Sequence, residues 1–187
     1  MVHLNKIYTR TGDDGSTGLG DGSRVEKRNQ RIRACGSIDE LNCALGVVRT
    51  LPLPSELDQQ LQQIQNSLFD LGADLCVPLD AQTAGFEPLR ITEERTAELE
   101  QWIDATNENL KPLTSFILPG GNPLAAHIHL ARAVCRRAEI DVVSLAGEAE
   151  LNPALTMYLN RLSDFLFVLA RDANNHGRDD VLWQPGR

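Results

Sequence analysis

Most of the residue groupings that announce a hydrolase, a metalloenzyme or a secreted scaffold are missing from this chain. Its four cysteines, Cys35, Cys43, Cys76 and Cys135, form no CxxC pair, and its four histidines, His3, His127, His129 and His176, form no HExxH motif. His127 and His129 are two apart, which on a helix turns them to different faces and argues against a histidine metal site. No apolar run approaches the roughly 20 residues that a membrane-spanning helix needs. The first residues, MVHLNKIYTR, have neither the apolar centre of a secretion signal nor the Arg/Ser richness of a transit peptide. The expectation is a cytoplasmic protein whose thiols are buried and reduced. A net charge of −8 excludes a general nucleic-acid binder. Strand-like alternation, internal repeats and low-complexity tracts are also missing.

What is present is concentrated first in Thr9–Lys27, TRTGDDGSTGLGDGSRVEK. Five glycines (Gly12, Gly15, Gly18, Gly20, Gly22) fall within eleven residues, among Thr, Ser and Asp and between Arg10, Arg24 and Lys27. Backbone N–H groups exposed in such turns form anion-binding concavities, and hydroxyls with cations at the edges suit a polyphosphate. A flexible surface loop is the plain alternative. A Walker A loop is excluded because Asp21, not Lys, follows Gly20, and Asp13 and Asp14 lack the alternating spacing of an EF-hand. Residues 1–33 carry a net charge of +3 on a protein whose remainder carries −11, a local cationic segment suited to a small anionic ligand.

The rest reads as helix. Ile32, Cys35, Ile38, Leu41, Leu45 and Val48 recur at threes and fours over about 28–50, with Asp39, Asn42 and Gly46 on the other side. After Pro52 and Pro54, Ser55 is a candidate cap for a second helix with Leu57, Leu61, Ile64, Leu68, Leu71 and Leu75 as its seam, ended by Pro78. Residues 79–91 read as a loop. Thr92 followed by Glu93 and Glu94 predicts a third helix, with Leu99, Trp102 or Ile103, and Leu110 as its apolar side. Residues 111–118 are an extended connector or a short strand. Asn122-Pro123 and Asn152-Pro153 each combine a capping side chain with proline at the first helical position. They start a fourth helix reaching about Gly147 (Leu124, Ile128, Ala131, Cys135, Ala138, Val142, Leu145) and a fifth closed by Gly177 (Leu155, Leu159, Leu162, Leu166, Leu169, Ala173). Residues 178–187 read as a loosely attached tail. The expected fold is all-α: a five-helix bundle with a four-helix-bundle-like core and a glycine-rich N-terminal loop, one domain over 1–187.

Polar stripes interrupt two of these helices. Arg132, Arg136 and Glu139 share a face of the fourth, with Arg137 beside them, an arrangement suited to phosphate or to a solvated basic face. Asn160, Asp164 and Arg171 lie along one side of the fifth, suited to a ligand or to interhelical and subunit contacts.

Four segments in order, TRTGDDGSTGLGDGSRVEK, CGSIDELNCALG, FILPGGNPLAAHIHLARAVCRRAE and YLNRLSDFLFVLAR, resemble the signatures of the PduO-type ATP:cob(I)alamin adenosyltransferases. The resemblance implies a homotrimeric helix bundle that binds ATP and cob(I)alamin between subunits. It would transfer the 5′-deoxyadenosyl group to cobalt and release triphosphate. Residue by residue, it implies that Thr9, Arg10, Thr11, Gly12, Thr17 and Gly18 wrap ATP and that Lys27 meets its phosphates. Arg136, Arg137, Ala138, Glu139 and Asn160 would complete the nucleotide site. Mg²⁺ would be held mainly by the phosphates, with Glu139 the candidate protein ligand. Arg132 would pair with Asp39 of an adjacent subunit, and Phe116 would pack under the corrin and displace its lower axial ligand. Ile140 departs from the pattern, since several members place a basic residue there. A corrin reductase and an adenosylcobalamin-dependent enzyme are the implied partners. The competing readings are a non-catalytic nucleotide sensor or corrinoid carrier, and a purely structural helical oligomer.

Such a reaction fits the missing motifs. Cob(I) is itself the nucleophile, so no Ser–His or Cys–His arrangement is required. The protein must supply positioning and neutralise the departing triphosphate.

Overall fold

The computed structural model describes residues 7–83 and 85–186. His3, Lys6 and the beginning of the predicted N-terminal segment lie outside the described residues, as does Arg187. Five helices carry the fold: α1 (Gln30–Val48), α2 (Ser55–Cys76), α3 (Glu93–Asn107), α4 (Pro123–Ala146) and α5 (Pro153–Ala173). The predicted all-α bundle is therefore observed, with one addition. The glycine-rich segment folds into a small antiparallel hairpin, β1 (Ser16–Gly18) with β2 (Arg24–Glu26), in which Thr17 faces Val25.

Helix α1 packs between α2 and α4, and α5 packs between α4 and α3. The stripes read from spacing form the core between them. Ile38, Leu41, Leu45, Leu61, Ile64, Leu71, Ile128, Ala138, Leu159, Leu162 and Leu166 are all buried. Ile32, Cys35 and Leu57 sit only half-buried at the margins, because α1 turns Ala34 rather than Cys35 inward. Asn122 accepts from the Ala125 N–H at 2.9 Å and Asn152 from the Ala154 N–H at 3.1 Å, each followed by the expected proline. Ser55 does not cap α2. Pro54 occupies the cap position and offers no side-chain acceptor, so Ser55 is already the first helical residue. The thiols also divide unexpectedly: Cys135 is buried, Cys35 and Cys76 are half-buried, and Cys43 is exposed.

Two buried polar clusters join segments that sequence spacing cannot relate. Asp74, only 2% exposed, accepts from Arg90 Nη1 at 2.6 Å, from the Ile91 N–H at 3.0 Å and from Asn152 Nδ2 at 2.8 Å. It ties the end of α2 to the 79–91 connection and to the start of α5.

The second cluster corrects the tail and the end of α5. Helix α5 stops at Ala173, and Asn175, His176 and Gly177 all take positive φ to reverse the chain. Arg171, read as part of a polar stripe, is buried at that reversal. It donates to Asp180 at 2.9 Å and to the Lys111 carbonyl at 2.8 Å. Beyond it the tail pairs antiparallel with the 111–118 connector. The Leu118 N–H donates to the Val181 carbonyl at 2.8 Å and the Trp183 N–H to the Phe116 carbonyl at 2.7 Å. The tail is thus fastened by an ion pair and a short ladder.

Replacing Asp74 by alanine would leave a cation, an N–H and an amide without their acceptor. Asp74→Ala is expected to cost about 3–5 kcal/mol of stability, as breaking a buried ion pair does, measured by denaturant unfolding. A loss below about 1 kcal/mol, the size of an exposed pair, would show that Asp74 is not such a hub.

Candidate functional site

The glycine-rich hairpin is built by short-range polar contacts. Ser16 donates to Asp14 through its N–H at 2.9 Å and its hydroxyl at 2.7 Å; Ser23 does the same to Asp21 at 3.0 and 2.7 Å. These bonds hold both exposed carboxyls below their ordinary range. The acids are therefore spent on shaping the turns, as Asx side chains commonly are. Arg24 closes the hairpin across the ladder, donating to the Ser16 hydroxyl and, at 2.6 Å, to the Thr11 carbonyl. Thr9 and Thr11 share a hydroxyl contact at 2.9 Å, and Arg10, at φ 62°, lies over the Tyr8 ring. The Lys27 N–H donates to the Gly15 carbonyl at 2.8 Å, and a methyl added at Gly12 would stand 3.2 Å from the Lys27 ammonium. Gly12 and Lys27 are thus neighbours, Thr9, Arg10 and Lys27 are exposed, and Thr17 and Gly18 lie on β1 of the hairpin.

One contact seats this hairpin on the bundle. The Gly20 N–H donates to the Cys76 carbonyl at 2.8 Å, and a side chain on Gly20 would stand 2.6 Å from Val77 Cγ2. Only a residue without Cβ lets the backbone approach so closely.

Helix α4 presents the second group. Glu139 accepts from Asn160 Nδ2 at 3.0 Å, joining the α4 and α5 stripes as their spacing suggested. Arg137 is paired with Glu40 on α1, and Arg33 with buried Asp141 at 2.9 Å. Arg161 pairs with Glu100 at 2.8 Å and Asp164 at 3.1 Å, the latter being the role of Asp164 here. Arg132 and Arg136, one turn apart, have no ion pair among the described residues. Burial and the Arg136 charge lower the pKa of Arg132, its Nε has no acceptor, and its guanidinium rests 5.8 Å above the Phe167 ring. His129, one turn earlier, edges the same ring with both nitrogens unpartnered. Spacing dismissed His129 as a metal ligand and gave no sign of this cluster around Phe167. Ala138 differs from the other implied nucleotide contacts: its methyl is fully buried in the core, so it holds the helix in place and does not face solvent.

Phe116 is 78% exposed, which rules out core filling as its role. Its ring stands edge-on to Trp183 at 6.1 Å, held there by the tail ladder. The turn that follows is locked from α5. Gly121 takes φ 111°, and a side chain there would stand 2.0 Å from Asn174 Oδ1. Asn174 in turn bonds the Asn122 N–H at 3.2 Å and the Gly120 carbonyl at 3.1 Å.

The structure therefore holds two groups of candidate residues, two candidate half-sites, apart. The hairpin sits by the end of α2, whereas Arg132, Arg136, Glu139 and Asn160 lie along α4 and α5, and no hydrogen bond or ion pair joins the two within the described residues. Asp39 is exposed on α1 and makes no ion pair with Arg132 among the described residues. Among these residues no three His, Cys, Asp or Glu side chains gather as a metal site. No helix among them is long and apolar enough to cross a membrane.

The hairpin is seated on a five-helix bundle, with Arg132 and Arg136 free of ion pairs among the described residues. Residues 7–173 match the family described as Cobalamin adenosyltransferase, and the chain belongs to that family. It is 48% identical to the corrinoid adenosyltransferase of Mycobacterium leprae over 99% of this chain and 98% of the relative. It is 50% identical to the cobalamin adenosyltransferase of Cupriavidus metallidurans, over 98% and 97%. Among solved structures, a variant PduO-type ATP:corrinoid adenosyltransferase from Lactobacillus reuteri, complexed with cobalamin and ATP, superposes with a TM-score of 0.89. That match covers 96% of this chain and 99% of the other at 36% identity.

Gly121→Ala would force a side chain into a positive-φ position and push Asn174 off its bonds. The expected cost is about 2–4 kcal/mol, with tail exchange protection lost, read by thermal unfolding and amide exchange. Full retention of both would show that the turn is not clamped.

Proposed function

We propose that this protein transfers the 5′-deoxyadenosyl group of ATP to the cobalt of cob(I)alamin, giving adenosylcobalamin and triphosphate. The observation that carries the reading, beside the family, is the selective absence of counterions. Arg33, Arg137 and Arg161 around the site are all neutralised, while Arg132 and Arg136 are left with exposed charge or unmet donors. A buried or crowded cation without an anion is costly, and a triphosphate or a carboxylate from another copy removes that cost.

The separation of the half-sites supports a homotrimer with active sites between subunits. The hairpin of one copy then closes over the α4–α5 strip of the next, and Asp39 reaches Arg132 across the interface. Thr9, Arg10, Thr11, Gly12, Thr17 and Gly18 wrap the nucleotide, and Lys27 and Arg136 balance the charge that develops on triphosphate as it leaves. Glu139, oriented by Asn160, is the candidate carboxylate for a Mg²⁺ that would be held mainly by the phosphates. Phe116, exposed and braced by Trp183, offers an apolar wedge to the corrin face, which favours four-coordinate cobalt by keeping the lower ligand away. Cob(I) attacks C5′ of ATP, the C5′–O bond breaks, and triphosphate departs with the bonding pair. The protein is placed in the cytoplasm as one domain, supplied by a corrin reductase and serving an adenosylcobalamin-dependent enzyme.

Supplying reduced cobalamin and Mg-ATP should yield the adenosylcobalamin spectrum and triphosphate together. Binding of both ligands without product would favour a carrier. Arg136→Ala is expected to lower turnover about 10²-fold, the usual loss for one transition-state donor, with the oligomer intact by light scattering. Unchanged turnover would remove Arg136 from the mechanism. ATP at a hundred times its Kd should raise unfolding free energy by about 2.7 kcal/mol and slow amide exchange over residues 10–22. Unchanged exchange there would separate the hairpin from the nucleotide.

A further inference from the structure

The end of α2 carries a chemistry that adenosyl transfer does not use. Cys35 on α1 and Cys76, the last residue of α2, bring their sulfurs to 3.9 Å, and both are free thiols reachable from the surface. Cys135, by contrast, is buried and occupied with the Leu159 carbonyl at 3.3 Å. Arg31, one turn before Cys35, is buried with its guanidinium fixed on the Leu75 carbonyl at 2.7 Å, which stations a positive charge beside the pair. The hydrogen bond from Cys35, then Arg31, hold the Cys76 thiol below its ordinary range, and the same bond together with burial pushes Cys35 up. The direction of both shifts makes Cys76 the member of the pair favoured as thiolate, the form that reactivity requires. The Cys76 carbonyl is also the seat of the Gly20 N–H.

We propose that Cys35 and Cys76 form a dithiol that a hydroperoxide oxidises to an intramolecular disulfide at the base of the glycine-rich hairpin. The Cys76 thiolate attacks the peroxide oxygen, the O–O bond breaks, and a sulfenic acid forms with release of hydroxide or alkoxide, which takes up a proton. Cys35 sulfur then attacks Cys76 sulfur, the S–O bond breaks, and water leaves with the Cys35 proton. With hydrogen peroxide, two thiols and one peroxide give one disulfide and two waters. The sulfurs need only close from 3.9 Å to a bond length of about 2.05 Å. Disulfides in a reducing compartment are characteristically transient and redox-sensing, which suits a pair so close and only half-buried. Bond formation draws Cys76 toward α1, and the Gly20 hydrogen bond transmits that movement to the hairpin. None of this depends on which ligand the hairpin holds.

The test uses the full chain carrying Cys43→Ser, which removes the exposed thiol most prone to intermolecular pairing. After brief hydrogen peroxide treatment, the intact mass should fall by two hydrogens, and two of the three remaining thiols should become unreactive. Non-reducing digestion should recover the Cys35 peptide joined to the Cys76 peptide, with reversal by dithiothreitol. Amide exchange at residues 19–22 should differ between the reduced and oxidised forms, with no nucleotide present. Unreacted thiols, a sulfinic acid at Cys76 in place of the disulfide, or a bond to Cys135 would overturn the proposal. Identical exchange in both forms would overturn the link to the hairpin. Because the linkage is read in a protein that keeps both cysteines, misfolding of a Cys35→Ser control would not blunt the result.

Discussion

The last turn of α2 is where this structure is held together. A helix ends with carbonyls that have no intrahelical partner, and a buried end must find donors for them. Here the donors come from three distant segments. Arg31 of α1 takes the Leu75 carbonyl, Gly20 of the hairpin takes that of Cys76, and Arg90 takes those of Asp74, Val77 and Pro78. Both arginines also place positive charge at the negative end of the helix dipole. These carbonyls thus tie α1, the 79–91 connection and the hairpin to one helix end.

A complementary economy operates on α4. Its inner face is packed on α1 and α5, and its outer edge carries charge that the chain leaves unanswered at Arg132 and Arg136. Neighbouring cations are paired, so the omission is local. In a bundle whose core is already complete, polar groups left without partners mark where something else must bind. The hairpin cannot supply that something within its own chain, because its anchor at Cys76 holds it by α2. Positional separation and unmet charge are two consequences of the same packing.

The exposed Phe116 ring follows a different logic. Phe116 lies in a connector that would be irregular by itself. Pairing with the tail gives that connector strand character, and the buried Arg171–Asp180 ion pair holds the tail where it can pair. An exposed aromatic ring kept in place by backbone hydrogen bonds to a neighbouring strand is a preorganised surface, ready without rearrangement. Asn174 clamps the glycine turn behind it from the end of α5.

The helices, their stripes and the two Asn-Pro starts were legible because helical period and capping are local, repeating every three or four residues along the chain. The glycine-rich segment was legible as a run of turns for the same reason: its Asx turns close within two residues. Only the tertiary structure decided that Ser55 does not cap α2, that Arg171 fastens the tail, that Cys35 and Cys76 meet, and that Ala138 faces the core. It alone separated the paired arginines from the unpaired ones. Each of those outcomes depends on which distant segment comes to lie against a given helix end or face, and no spacing along a single chain carries that information.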